Sequence, residues 1–134
     1  MLKTSSIFIA IGFVVAGAGG AQAQGPDVGE ALYNQYCATC HGSSGAGDGP
    51  LTEIMMEQPG DLTQLAANND GEFPMLQVIH IIDGRTGVRA HGGPMPTYGA
   101  IFSAEAADQM GYGSVVEVRG RILSLAMYLE SLQK

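Results

Sequence analysis

The sequence predicts an all-α domain of about four to five short helices. Three observations carry that expectation. Apolar residues recur at helical spacing over 74–84 and 114–132, no stretch alternates apolar and polar residues as a half-buried strand would, and the intervening segments are rich in Gly and Pro.

Taken in order, Pro26-Asp27 with Glu30 three residues on forms a capping-box arrangement, which predicts a first helix running through Ala31, Leu32, Tyr33 and Tyr36. Residues 42–60, rich in Gly, Ser and Pro, read as loop with one turn of helix at Thr52 to Glu57. Asp61 is placed as the cap of a short helix through Ala67. Pro74 opens the next helix, in which Met75, Val78, Ile79 and Ile82 share a face, His80 falls off it, and Gly84 stops it. Residues 84–99 form a second Gly- and Pro-rich loop, and Ser103 is placed at the start of a brief helix to about Met110. The last helix follows a second capping box, Ser114-Val115-Val116-Glu117. Val118, Ile122, Leu125, Leu129 and Leu132 make its apolar stripe, with Tyr128 beside it and Gly120 small enough to admit another helix.

Residues 1–23 read as a secretory signal peptide: Lys3 gives a positive start, Ile7 to Ala18 an apolar run, and Ala21-Gln22-Ala23 a small-x-small cleavage site. The apolar run falls short of the roughly 20 residues of a spanning helix, so the expected product is an exported chain of residues 24–134 without stable membrane insertion. That length fits one small domain and leaves no room for a second, catalytic one. Thirteen carboxylates face only Arg85, Arg89, Arg119, Arg121 and Lys134, a formal charge of −8. Gln24 to Gly84 holds nine carboxylates and no Lys or Arg. This charge excludes nucleic acid and anionic lipid as natural partners.

Cys37-Ala38-Thr39-Cys40-His41 carries the chemistry. Two thiols separated by two residues can bond the two vinyl groups of one haem, and the adjacent imidazole then lies under the iron. The other readings of Cys-x-x-Cys fare worse. A four-ligand zinc site needs a second ligand pair, no other cysteine exists, and His80 and His91 are too scattered to supply one. A redox dithiol normally opens a helix within a βαβ pattern, which is not found here. The sequence therefore predicts one covalent haem c on Cys37 and Cys40 with His41 as ligand. Exported thiols consumed by thioether bonds fit a bacterial periplasm.

Helix, haem motif, a loop with Gly47-Asp48-Gly49-Pro50, a late Met95-Pro96 and a terminal amphipathic helix, in that order over about Asp27 to Gln133, resemble class I cytochrome c. Pro59-Gly60-Asp61-Leu62-Thr63, the Phe73-Pro74 helix start and the Ala90-His91-Gly92 to Met95-Pro96 loop resemble small bacterial monohaem members. The resemblance implies the cytochrome c fold, its helices gathered around one covalently attached haem. It implies that the first and last helices cross at Gly29, Tyr33 and Tyr128, with Gly120 near the crossing. It further implies that the carbonyl of Pro50 orients the His41 imidazole, and that Met95 is the distal ligand. The sequence lacks the tryptophan that often contacts a propionate in mitochondrial members, and Arg85, Arg89 and Tyr98, flanking the Met95 loop, are the candidates to replace it.

Met95 sits among glycines and prolines, outside helical context, whereas Met75, Met110 and Met127 read as core or helix-surface residues. His91 is the rival sixth ligand, and bis-His ligation would lower the potential. The expected function is a soluble one-electron carrier between a dehydrogenase or quinol-oxidising complex and a terminal acceptor. No catalytic constellation is visible. Two alternatives stay open: a gas- or peroxide-binding haem protein with an open or labile sixth position, and a cytochrome subunit dedicated to one oxidoreductase. The expected partners are redox proteins with a basic docking surface, which would meet uncharged loops at Ala38-Thr39 and Gly92 to Tyr98, and the protein is expected as a monomer or as a subunit of a redox complex.

Overall fold

The computed structural model of the protein describes residues 25–85, 95–107 and 111–134, with the backbone alone for 25–27. Its α-helices are α1 (Gly25–Tyr36), α2 (Ala38–His41), α3 (Met75–Asp83), α4 (Tyr98–Glu105) and α5 (Tyr112–Ser131), and two 3₁₀ turns lie at Pro50–Ile54 and Leu62–Gln64. No strand occurs among the described residues. The fold is all-α, as the periodicity predicts.

The core forms where α5 meets α1, α3 and α4. Ile122, Leu125, Ala126 and Leu129 of α5 are buried against Leu32 and Tyr33 of α1, Val78 and Ile82 of α3, and Tyr98 and Phe102 of α4. The sequence stripe on α5 thus faces inward, with Val118 and Leu132 packed at its two ends. At the α1–α5 crossing, a Cβ on Gly29 would lie 2.2 Å from the Ser124 carbonyl oxygen and 2.8 Å from Tyr128 Cβ. Only a residue without a side chain lets these backbones approach so closely. Tyr33 and Tyr128 flank the contact, their ring centroids 5.3 Å apart. Gly120 is not part of it, contrary to the expectation. Open space surrounds that position out to 4 Å: it lies on the same row of α5 as Ser124 and Tyr128 but one turn earlier, where no element covers it.

The C-terminus closes the ring of elements. The Gln133 amide donates to the carbonyls of Leu62 at 2.8 Å and Leu129 at 2.6 Å, and its oxygen accepts from the Ala66 N–H at 2.9 Å. One side chain thereby ties α5 to the 62–66 segment. Asp61 caps that segment as the sequence predicts, accepting from the Thr63 N–H at 2.8 Å and from its hydroxyl at 2.7 Å. Only one 3₁₀ turn follows it before the chain continues in turns, so the expected helix to Ala67 is shorter. α3 matches its predicted span, and Gly84 ends it in the left-handed conformation at φ 84°.

The starts of α1, α4 and α5 differ from the sequence expectation: α1 begins at Gly25, ahead of the Asp27 cap, and the turn expected at Thr52 to Glu57 likewise lies earlier, at Pro50–Ile54. α4 begins at Tyr98, not at Ser103: Pro96 ends the preceding loop, Thr97 takes the cap position, and burial of Tyr98 and Phe102 four residues apart fixes the helix. Ser103 lies inside it, its hydroxyl donating to the Gly99 carbonyl at 2.6 Å. α5 begins at Tyr112, and Ser114 donates to the Gly111 carbonyl at 2.9 Å instead of forming a capping box with Glu117. At α4 the local serine signal yields to tertiary packing, and at α5, whose first turn is exposed, it yields to the turn at Gly111.

Candidate functional site

The haem motif is wrapped into a single helical turn. The Cys37 N–H bonds the Tyr33 carbonyl at 2.8 Å, which continues α1, and the N–H groups of Cys40 and His41 both reach the Cys37 carbonyl, at 3.1 and 2.9 Å. That turn puts the two thiols three residues apart on one side of a helix. The buried Tyr33 hydroxyl then donates to the Gly42 carbonyl at 2.6 Å, pinning the end of the motif back onto α1. Tyr33→Phe is expected to destabilise the protein by about 1–3 kcal/mol, since the Gly42 carbonyl would lose its buried donor. Chemical denaturation of the haem-loaded protein measures this.

Cys37, Cys40 and His41 form one wall of a cavity whose other walls include Met55, Glu57, Gln58, Pro59 and Gly60 from the 55–60 segment, Met95, Pro96 and Tyr98 ahead of and within α4, and Tyr36 from α1. It encloses about 860 Å³ of empty space, its open mouth included. Segments more than fifty residues apart in sequence, the motif and Met95-Pro96, meet here.

The electrostatics suit a neutral, apolar guest. Burial pushes the Cys37 thiol up to about 12, and the adjacent Cys40 adds to the shift. A redox-active Cys-x-x-Cys needs a lowered thiol pKa, so this site has the opposite character. Burial also holds the His41 imidazole below its usual pKa, against the opposing pull of the Gly60 carbonyl, so the ring is neutral and able to ligate metal at neutral pH. Tyr98 donates to the Tyr36 carbonyl at 2.6 Å, and burial pushes its phenol up to about 12.

The remaining expected site residues are placed as follows. The Gly60 carbonyl lies 3.4 Å from His41 Nδ1, in the role expected of the Pro50 carbonyl, while Pro50 heads a 3₁₀ turn and is not among the cavity-lining residues. Arg85 pairs with Asp83 and lines a separate groove with Ser103 and Arg119, so it does not reach the cavity in this structure. Arg89 and the rival ligand His91 lie outside the described residues. Sequence reasoning missed Tyr36 and the wall from Met55 to Gly60 as site residues, since nothing in a Gly- and Pro-rich loop says which way its side chains turn.

A polar clamp braces the cavity from behind. Tyr36 donates to both carboxylate oxygens of Glu105 at 3.0 Å, Arg121 donates to Glu105 at 2.6 Å, and the same guanidinium lies 5.1 Å from the centroid of Phe102. Tyr36, Tyr98 and Phe102 pack as a triangle of rings with centroids 5.2 to 5.9 Å apart. Glu105 is held below the usual carboxylate range, chiefly by Arg121 and then by Tyr36. A depressed folded pKa means that the carboxylate stabilises the fold above its unfolded pKa of roughly 4.3, and that this contribution is lost as pH falls through the folded value. Glu105→Gln should therefore lower the melting temperature at pH 7, with the difference from the parent closing below about pH 4. Melting curves of both proteins from pH 3 to 7 check it.

Residues 24–111 match the family model described as cytochrome c oxidase, cbb3-type, subunit III. The chain belongs to that family. It is a small cytochrome c domain of class I type, and membership implies a covalently bound haem c, which the paired thiols, the neutral imidazole and the apolar cavity fit. Its chemistry is haem-based electron transfer, the work of a carrier more than of an enzyme. No curated protein and no solved structure matches the chain. Among the described residues no helix of this cytochrome is long and apolar enough to cross a membrane.

Proposed function

We propose that this cytochrome is a periplasmic one-electron carrier, exported by removal of residues 1–23 and active as the single domain 24–134, in which Cys37 and Cys40 would hold haem c and His41 and Met95 would ligate its iron. The supporting observation is that these four side chains line one cavity. The bound haem supplies a one-electron ferric/ferrous couple. The chain does the rest. Cys37 and Cys40 fix the position, His41 offers a neutral nitrogen oriented by the Gly60 carbonyl, and the soft Met95 thioether favours the ferrous state and raises the potential. Tyr36, Tyr98 and Pro59 line the same cavity and supply apolar surface to it.

Denatured protein should retain one haem mass, show a c-type alkaline pyridine spectrum and begin near Gln24. Haem extracted by acidified butanone, or an intact N-terminus recovered with the membrane, would contradict the reading. The negative first half of the chain calls for redox partners with a basic rim. Second-order electron-transfer rates with the physiological partner should fall as salt rises above roughly 0.1 M, where the Debye length is about 10 Å, and a flat or rising profile would remove the charge argument. The family description names an oxidase subunit, so a tightly held place in one oxidoreductase is the second reading. Co-purification of a stoichiometric partner from periplasmic extract would favour it.

A further inference from the structure

We propose that the redox partner docks on the 51–56 lip of the cavity, with Ile54 and Met56 as its apolar contacts and Glu53 and Glu57 as its charged guide. The inference deepens the carrier reading above and rests on it. Met55 is half-buried and lines the cavity, while its two chain neighbours turn outward, Ile54 at 80 % exposure and Met56 at 105 %. Leu51 beside them is also exposed. Bare apolar side chains of this size normally fold inward, yet here the backbone prevents it. The Gln58 amide donates to the Thr52 carbonyl at 3.0 Å and to the Met55 carbonyl at 3.4 Å, and the Thr52 hydroxyl donates to the Gly49 carbonyl at 2.7 Å. The segment is thus held with its apolar residues in water at the edge of the redox site.

Charge decides the occupant. Glu53 and Glu57 are exposed within the lip, and no Lys or Arg occurs from residue 24 to residue 84. A second copy of this chain would set like charges against each other, and an anionic bilayer would repel the lip. A protein with an apolar patch inside a Lys- and Arg-rich rim meets both features, the charges steering it and the apolar contact holding it. Apolar side chains are exposed on the outer face of α5 as well, at Leu123 and Met127, but neither lines the cavity, and so they serve as a control.

The test uses the haem-loaded protein and stopped-flow electron exchange with two probes, a lysine-rimmed mitochondrial cytochrome c and the neutral mediator ferrocenemethanol. Ile54→Ser with Met56→Ser should slow exchange with the basic protein by about tenfold, and Glu53→Gln should slow it about two- to threefold at low salt and flatten its salt dependence. Exchange with ferrocenemethanol should stay at the parent rate, as should both rates for Leu123→Ser with Met127→Ser. An unchanged protein–protein rate in the lip variants, a slowed rate in the α5 variant, or loss of a self-associated form on sedimentation of the lip variants would each overturn the proposal. Failure of the parent protein to exchange electrons with either probe would instead overturn the carrier reading beneath it.

Discussion

Met95→Ala is expected to abolish the weak methionine-sulfur charge-transfer band of the ferric protein, lower the reduction potential, and let the ferrous form bind carbon monoxide where the parent binds none. The expectation follows from ligand chemistry. Met95-Pro96 lines the cavity immediately before the cap of α4, and Pro96 restricts the backbone there, so the residue that carries the thioether sits on a constrained segment. With Met95 as the proposed ligand, an alanine in its place would leave the sixth position open. His91→Ala should leave the band intact. The reverse pair of results would give the position to His91 and make this a low-potential or ligand-binding protein.

Gly29→Val is expected to have the largest effect on the fold, a loss of about 3 kcal/mol or more. A Cβ at that position meets backbone, the Ser124 carbonyl, and not a side chain that could swing aside. The valine must push α1 and α5 apart, and that loosens the packing of Leu32 and Tyr33 against Leu125 and Leu129. Because Cys37 is hydrogen-bonded to the Tyr33 carbonyl, the displacement reaches the attachment turn. Guanidinium denaturation of the haem-loaded variant should show a midpoint well below that of the parent, whereas Gly120→Ala, in open space on α5, should match or slightly exceed the parent because alanine favours helix. Equal midpoints for Gly29→Val and parent would contradict the crossing.

Periodicity carried the elements with one long apolar stripe. α3 and α5 were legible because Val78 and Ile82, and Ile122, Leu125 and Leu129, recur at helical spacing and are buried together. The start of α4 was not, since its helix is set by the burial of Tyr98 and Phe102 and by the end of a proline loop, while Ser103 offers a misleading local cap. For the site, the five-residue motif announced its own chemistry. The opposite wall could not be read, because Met55, Gln58 and Gly60 reach the cavity through a turn set by side-chain bonds of Thr52 to Gly49 and of Gln58 to Thr52 and Met55, which leave no periodic signal. Arg85 is instructive in the same way. Its proximity in sequence to Met95 suggested a propionate partner, but the nearer Asp83 claims the guanidinium.

Protein-film voltammetry of the purified, haem-loaded protein tests the central claim most directly. A one-electron carrier with both axial positions filled gives a single reversible wave of one-electron width, unchanged by oxygen, carbon monoxide or peroxide. A catalytic current with oxygen or peroxide, or a wave displaced by carbon monoxide in the unaltered protein, would show an open iron and contradict the account.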